Sequence, residues 1–322
     1  MRPTLLRLFA PCIALLAPTV RATEPLAIRD QNPLTRALYL PTAGPAAMPG
    51  KDDSWQLGAT LLWTNTANLA ATAQERLRVD EESLEVTLSA ARQVAGWQLR
   101  ASLPVVQRSS GLLDGFIDSW HRLFGMPQGV RPGLPRNAYA LEYQRLGQAT
   151  VANAAGTAVG DLAVQAERVL LAGPALTLQG GLGIELPTGS RAALTGNGAV
   201  DAAAWVRADA PLAGRWSLSG RAGWSHSGGS TAALPLSRDV AFGGVTVGWQ
   251  ATDAMQALLQ VDAHGPTLQA THLPLLREAV LLTVGGRWQL SARKAVEFGV
   301  VEDIQVNHSP DVGFHFGWRW AQ

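Results

Sequence analysis

The stretch VGFHFGWRW, residues 312–320, decides the fold. Val312, Phe314, Phe316, Trp318 and Trp320 are large and apolar, whereas Gly313, His315, Gly317 and Arg319 between them are small or polar. Successive side chains of a strand point to opposite faces, so this pattern predicts a strand with one apolar face. A protein core or a lipid bilayer would each satisfy that face. The rest of the chain distinguishes them.

The compartment is read from the other end. Arg2 and Arg7 precede the apolar run LFAPCIALLAP, and Val20-Arg21-Ala22 offers small residues where a signal peptidase cuts, which predicts a secretory leader over residues 1–22. Cys12 is the single cysteine and lies inside that leader, so the mature chain would carry no disulfide and no thiol chemistry. Loss of three arginines (Arg2, Arg7, Arg21) and no acid takes the formal charge from +1 to −2, which excludes nucleic acid as an expected partner. Charged residues make up 16%, below the usual quarter. No apolar run after residue 22 approaches the ~20 residues of a membrane helix. An exported, charge-poor chain with 11 Trp and 33 Gly fits an all-β transmembrane antiparallel β-barrel in the cell outer membrane.

Period-2 patterning recurs in 12 segments: Trp55 to Thr64, Leu84 to Leu88, Trp97 to Val105, Leu162 to Ala166, Leu176 to Leu186, Val200 to Ala210, Trp216 to Trp224, Ala241 to Trp249, Met255 to Ala263, Val280 to Leu290, Val296 to Ile304 and Val312 to Trp320. The links alternate in length. QVAG, AGP, PLAGR, ATDA and SARK are tight turns, whereas TNTANLAATAQER, PTGSRAALTGNG, SHSGGSTAALPLSRD, GPTLQATHLPLLRE and VNHSPD are longer. Outer-membrane barrels keep short turns in the periplasm and long loops outside, so each hairpin can be oriented. A further alternating pair, Tyr139 to Tyr143 and Thr150 to Ala154, would make the strand count odd if it crossed the membrane. Residues 107–157 are therefore read as one external excursion carrying a helix and a protruding hairpin. Residues 23–50 are read as a periplasmic segment or a plug, and residues 51–322 as the barrel.

The tryptophans follow the same orientation. Trp55, Trp97, Trp216, Trp249, Trp288, Trp318 and Trp320 fall at periplasmic strand ends, where amphipathic rings form a girdle. With the Leu/Val/Trp set facing lipid, the lumen receives Glu85, Arg100, Glu185, Arg207, Arg221, Asp262, His264, Arg287, Glu297, Asp303, His315 and Arg319. An arginine or lysine facing lipid near the midplane would cost about 2–4 kcal/mol. Glu302 is the exception to this sorting and lies near an external end. The lumen charges are mixed in sign, which predicts pairing of Arg287 with Glu297 and of Glu297 with Arg319 and argues against a single-sign selectivity ring.

GLLDGFIDSWHRLFG, residues 111–125, spaces Leu112, Leu113, Phe116, Ile117, Trp120 and Phe124 along one side of a helix. Its apolar face could lie on the outer leaflet, close the barrel mouth, or pack beneath the Tyr139/Tyr143 hairpin. Asp118, His121 and Arg122, with Trp120, are the candidate functional residues of this helix, the first three expected to reach water or lumen. Ser225-His226-Ser227, His264 and Asn307-His308-Ser309 lie near external strand ends and could supply a nucleophile and base, but His226-Ser227-Gly228 does not match the His-x-Ser-Asn pattern of lipid A deacylases. No metal-ligand spacing, phosphate loop or dinucleotide fingerprint is present, so neither metal nor cofactor is expected.

IRDQNPL (28–34), RVDEESLEV (78–86), GLLDGFIDSWHRLFGMPQG (111–129), VGDL (159–162), LPTG (186–189) and VEDIQVNHSPD (301–311) resemble the domain-of-unknown-function family 3187. That resemblance implies an outer-membrane barrel of proteobacterial type and brings no established activity or functional residue. VGDL followed by LPTG is also similar to outer-membrane transporters associated with meta-pathway phenol and aromatic degradation, which implies passage of small hydrophobic compounds.

These readings predict a non-enzymatic barrel acting as a passive channel or conduit for a small-molecule solute, in contact with outer-membrane lipid. The alternatives are a closed barrel displaying a lipid- or partner-binding loop, and a surface hydrolase. Phe316, Trp318 and Trp320 would present the aromatic last strand to the outer-membrane barrel assembly machinery.

Overall fold

The computed structural model describes residues 23–44, 54–125, 128–145, 151–305 and 307–322; the expected leader lies outside the described residues. In chain order the elements are β1 (Trp55–Ala71), β2 (Glu75–Val94), β3 (Trp97–Ser109), the helix α1 (Asp114–Phe124), β4 (Ala140–Arg145), β5 (Val151–Ala152) and β6 (Gly156–Val159). There follow β7 (Leu162–Ala172), β8 (Thr177–Leu186), β9 (Asp201–Pro211), β10 (Trp216–His226), β11 (Asp239–Gln250), β12 (Met255–His264), β13 (Ala279–Ser291), β14 (Lys294–Asp303) and β15 (Val312–Ala321).

Strands β1–β3 and β7–β15 pair antiparallel with their neighbours, and β1 also pairs with β15, so twelve strands close into a barrel. Closure leaves the wall no free edge, the condition for strands to lie in hydrocarbon. The outward set is the one the alternation picks out. Leu88, Leu99, Leu182, Val206, Val245, Leu259, Val284 and Phe316 are exposed on the bare chain, as a lipid-facing belt must be. Trp55, Trp97, Trp216, Trp249, Trp288 and Trp318 are exposed at the short-turn end. Two of these rings carry a guanidinium 5.6 Å away, Arg92 over Trp55 and Arg168 over Trp97. Such a pairing of aromatic and cation suits the headgroup level.

The link TNTANLAATAQER differs from its reading as a loop. The β1–β2 ladder continues from Asn65 opposite Glu82 to Ala71 opposite Arg76, leaving a turn of residues 72–74. Leu77 and Val79 turn one face of this extension into a buried cluster, and Leu69 is its single large apolar residue on the exposed side, so it lacks the continuous outward apolar set of the wall. β4 pairs with the same extension, from Asp80 opposite Ala140 to Glu75 opposite Arg145, and β5 adds to β4. The expected hairpin thus thickens the wall at the long-loop end of the barrel.

The interior holds apolar clusters that alternation alone assigns to polar residues. Trp205 points inward, buried with Tyr39, Ala163, Ala203 and Phe242, and its indole donates to Glu167 at 3.0 Å. Gly181 and Gly223 face it from the adjoining strands. A Cβ on Gly181 would come within 2.2 Å of the indole ring, so the wall is bare there to admit it.

Candidate functional site

Residues 23–44 run inside the barrel. The segment enters beside Ser217, which hydrogen-bonds Thr23, and Arg319 holds the Glu24 carboxylate at 2.8 Å while Arg287 donates to the Glu24 carbonyl at 3.0 Å. Gln260 on β12 accepts from the Leu26 amide at 2.8 Å and donates to the Leu26 carbonyl at 3.0 Å, a side chain standing in for a neighbouring strand. Higher up, Arg29 pairs with Glu85 at 2.8 Å, and Asp30 meets His264 Nε2 at 3.2 Å.

The segment turns over at residues 33–38. Asn32 accepts the Leu34 amide on its side chain (3.1 Å) and the Arg36 amide on its carbonyl (3.0 Å), the behaviour expected of Asn beside a proline. Leu34, Ala37 and Leu38 are buried with Leu77, Val79, Leu141, Tyr143, Leu236, Leu268, Leu275 and Leu276, which come from the β2 extension, β4 and the outer loops. This cluster caps the outer end. On the way down, Ser225 hydrogen-bonds the Tyr39 carbonyl, and Arg221 donates to that of Pro41 at 2.7 Å. Arg207 then receives both ends, the Thr23 carbonyl at 3.0 Å and the Gly44 carbonyl at 3.4 Å. The segment is therefore a loop that rises from the short-turn half of the barrel to the cap and returns.

The lumen candidates largely serve this segment. Glu85, Arg207, Arg221, His264, Arg287 and Arg319 contact it directly, and each has a buried side chain. Arg287 and Arg319 both bind Glu297, at 2.7 and 3.0 Å, and His315 lies 3.6 Å from the same carboxylate. Asp262 sits 3.9 Å from Arg221, and Arg100 lies beside Gly44, where a Cβ would overlap its guanidinium. Glu185 faces a cavity with Glu85, Asp161 and Arg29. Asp303 differs from its reading as a lining residue: its carboxylate accepts the amides of Gln305, His308 and Ser309 and so caps the last external loop.

Outside the wall, α1 starts where Glu82 accepts the Leu112 and Leu113 amides, each at 2.8 Å, and the Trp63 indole at 2.7 Å. It ends at Gly125, whose φ of 66° is the left-handed cap that glycine supplies. Leu113 and Ile117 are buried on Val312, with Trp63, Val300 and Phe314 beside them. Trp120 stacks on Phe116, with ring centroids 6.0 Å apart, and meets the tilted ring of Phe124 at 4.5 Å. Asp118 pairs with the exposed Arg136 at 2.8 Å, and Arg122 donates to Ser119. His121 differs from its reading: its ring is buried, and neither nitrogen has a hydrogen-bond partner among the described residues.

Arg131 ties the helix to the barrel. Its guanidinium bonds Asp114 at 3.1 Å and Asp311 at 2.6 Å, and it also hydrogen-bonds Asn65. Burial, with the Asp114 carboxylate nearby, pushes the neighbouring Asp80 up to about 6. Arg131→Ala would leave these carboxylates buried without their cation, which costs on the order of 3–5 kcal/mol. Protease sensitivity across residues 111–137 is expected to rise, with the barrel still heat-modifiable on gels.

The serine and histidine groups do not converge. His226 pairs with Asp239 at 2.7 Å on the exposed rim, while Ser225 bonds the inner segment on the other side of the wall. His308 bonds the Glu278 carbonyl, and His264 is engaged with Asp30.

The model of the family described as protein of unknown function (DUF3187) matches residues 5–321. No curated protein matches the chain. Among solved structures, the COG4313 outer membrane channel from Pseudomonas putida F1 is similar with a TM-score of 0.56 at 12% identity, over 86% of this chain and 100% of that one. The NanC porin gives 0.48 at 8% identity, over 83% and 98%, and the CymD monoaromatic hydrocarbon channel 0.42 at 12%, over 90% and 97%. The first of these likenesses concerns the fold, a closed outer-membrane barrel.

Proposed function

The chain belongs to the DUF3187 family, and from that premise we propose that it is an outer-membrane conduit for small polar solutes, held closed by residues 23–44. The supporting observation is a pair of cavities between that segment and one side of the wall. The lower, of about 50 Å³, is lined by Gln56, Ser89, Arg100, Glu297 and Arg319; the upper, of about 60 Å³, by Arg29, Glu85, Asp161, Gln165 and Glu185. Both are bounded by Ala27 and Thr60, so they lie end to end along the barrel. Spaces of this size hold a few waters at most. A solute passes when the segment moves, and the charged groups of the upper cavity, Arg29, Glu85, Asp161 and Glu185, favour a polar cargo over an aromatic hydrocarbon.

The reading is of a non-enzyme, since His226 stands on the exposed rim with Asp239 while Ser225 and His264 are each engaged with the inner segment and His308 with the Glu278 carbonyl. Export through a cleaved leader belongs to it as well: N-terminal sequencing of the mature protein should begin at Thr23. A second reading, a closed barrel that displays its outer surface, is favoured by the apolar cap over the mouth. Glu85→Gln separates the two. It takes from Arg29 and Arg36 the carboxylate at 2.8 and 3.5 Å, and the conduit reading expects a several-fold rise in open probability in planar bilayers. Silence of both the full chain and this variant, with the barrel intact, favours the closed barrel.

A further inference from the structure

Helix α1 lies on the outside of the wall with one of its apolar flanks uncovered. Leu113 and Ile117 face the barrel, whereas Leu112 and Leu123 are 80% and 76% exposed and Phe124 is 59% exposed. Phe116, itself about half exposed, meets Phe314 edge-on with ring centroids 5.9 Å apart. Phe314, Trp63 and Val300 belong to the outward set of β15, β1 and β14, so the free face of the helix continues the lipid-facing belt without a break.

Height places the contact inside the apolar zone. Trp63 is eight residues along β1 from the girdle residue Trp55; at ~3.3 Å per residue and a tilt of ~40°, it stands about 20 Å above it. The outward apolar band of such barrels is about 25 Å tall. The helix therefore rests against the upper part of the band. Its polar side is turned away from the hydrocarbon and tied to the external loops, Asp114 through Arg131 and the Asn137 amide (2.7 Å), Asp118 through Arg136. At 11 residues it is too short to span a bilayer. An amphipathic helix so divided suits the membrane interface.

We propose that α1 is an interfacial helix of this barrel, embedded in the outer leaflet over the β1–β15 seam, with Leu112, Phe116, Trp120, Leu123 and Phe124 against lipid acyl chains. The inference is independent of whether the barrel conducts. Leu112→Cys and Leu123→Cys alter side chains with little packing, so refolded full-length protein in phosphatidylcholine vesicles can carry a fluorescent label at either site. Arg136→Cys, on the polar side, is the reference. Phospholipids brominated near the top of the acyl chain should quench the first two labels several-fold more than the third, and aqueous iodide should reverse the order. Equal iodide access at all three sites would overturn the proposal. So would shielding from both quenchers together with a cross-linked dimer through Cys at 123, which would assign the face to a second copy of the chain.

Discussion

Deleting residues 23–44 is expected to turn a near-silent barrel into one that conducts in large, long-lived steps, on the order of tenfold above the full chain for a lumen of this width. The wall does not depend on the segment for its own bonding. All twelve strands pair with neighbouring strands around the ring, so removal leaves the backbone ladder complete. What is lost is filling and charge compensation: Leu26, Ile28, Leu34, Leu38 and Tyr39 vacate the interior, and Glu85, Arg287 and Arg319 lose partners that water can replace in an open lumen. Twelve strands lie between the eight whose interior side chains fill and the sixteen that leave an aqueous channel. The outer cap would loosen too, because Leu34 and Leu38 sit in its apolar cluster, and truncating one such leucine typically costs about 2–5 kcal/mol. Single-channel recording, paired with heat-modifiability to prove folding, makes the measurement. A folded deletion variant that stays silent would refute the conduit.

The wall was legible because lipid imposes a strict rule on it. Each outward position between the girdles must be apolar, so period-2 patterning survives with little noise, and tight turns such as QVAG mark the periplasmic end. That rule lapses beyond the bilayer, which is why the β1–β2 extension reads as a loop although Leu77 and Val79 alternate with Arg76 and Arg78. The inner segment obeys no period. Its bonding partners, Arg319 for Glu24 and His264 for Asp30, stand more than 200 residues away and are chosen by the curvature of the barrel, so IRDQNPLTRALYL carries no local sign of where it lies. Pairing of Arg287 and Arg319 with Glu297 was legible, since register follows once the strands are placed. The helix shows the boundary between the two cases. Its amphipathicity is local, but whether His121 meets solvent depends on a surface supplied by β1, β14 and β15.

Replacing Phe316, Trp318 and Trp320 with serine is expected to block insertion and leave the chain unfolded in the periplasm, degraded or unmodified by heat on gels. These residues sit on the strand that closes the barrel, opposite Leu61, Ala59 and Leu57 of β1. Phe316 and Trp318 are exposed toward lipid, and moving one such ring from lipid to water costs ~1.5–3 kcal/mol. The triple change therefore removes an appreciable share of a marginal total and erases the aromatic pattern that we propose the assembly machinery reads. Arg319→Ser supplies the contrast. It lies on the same strand but faces Glu24 and Glu297 inside, so it should disturb the inner segment while assembly proceeds. Normal insertion of the triple variant would sink the role assigned to the terminal strand. Beyond Trp320, the Ala321 amide donates to the Arg293 carbonyl and the Gln322 amide to the Trp55 carbonyl, each at 2.9 Å. These bonds fasten the β1–β15 seam at the rim where β1 begins.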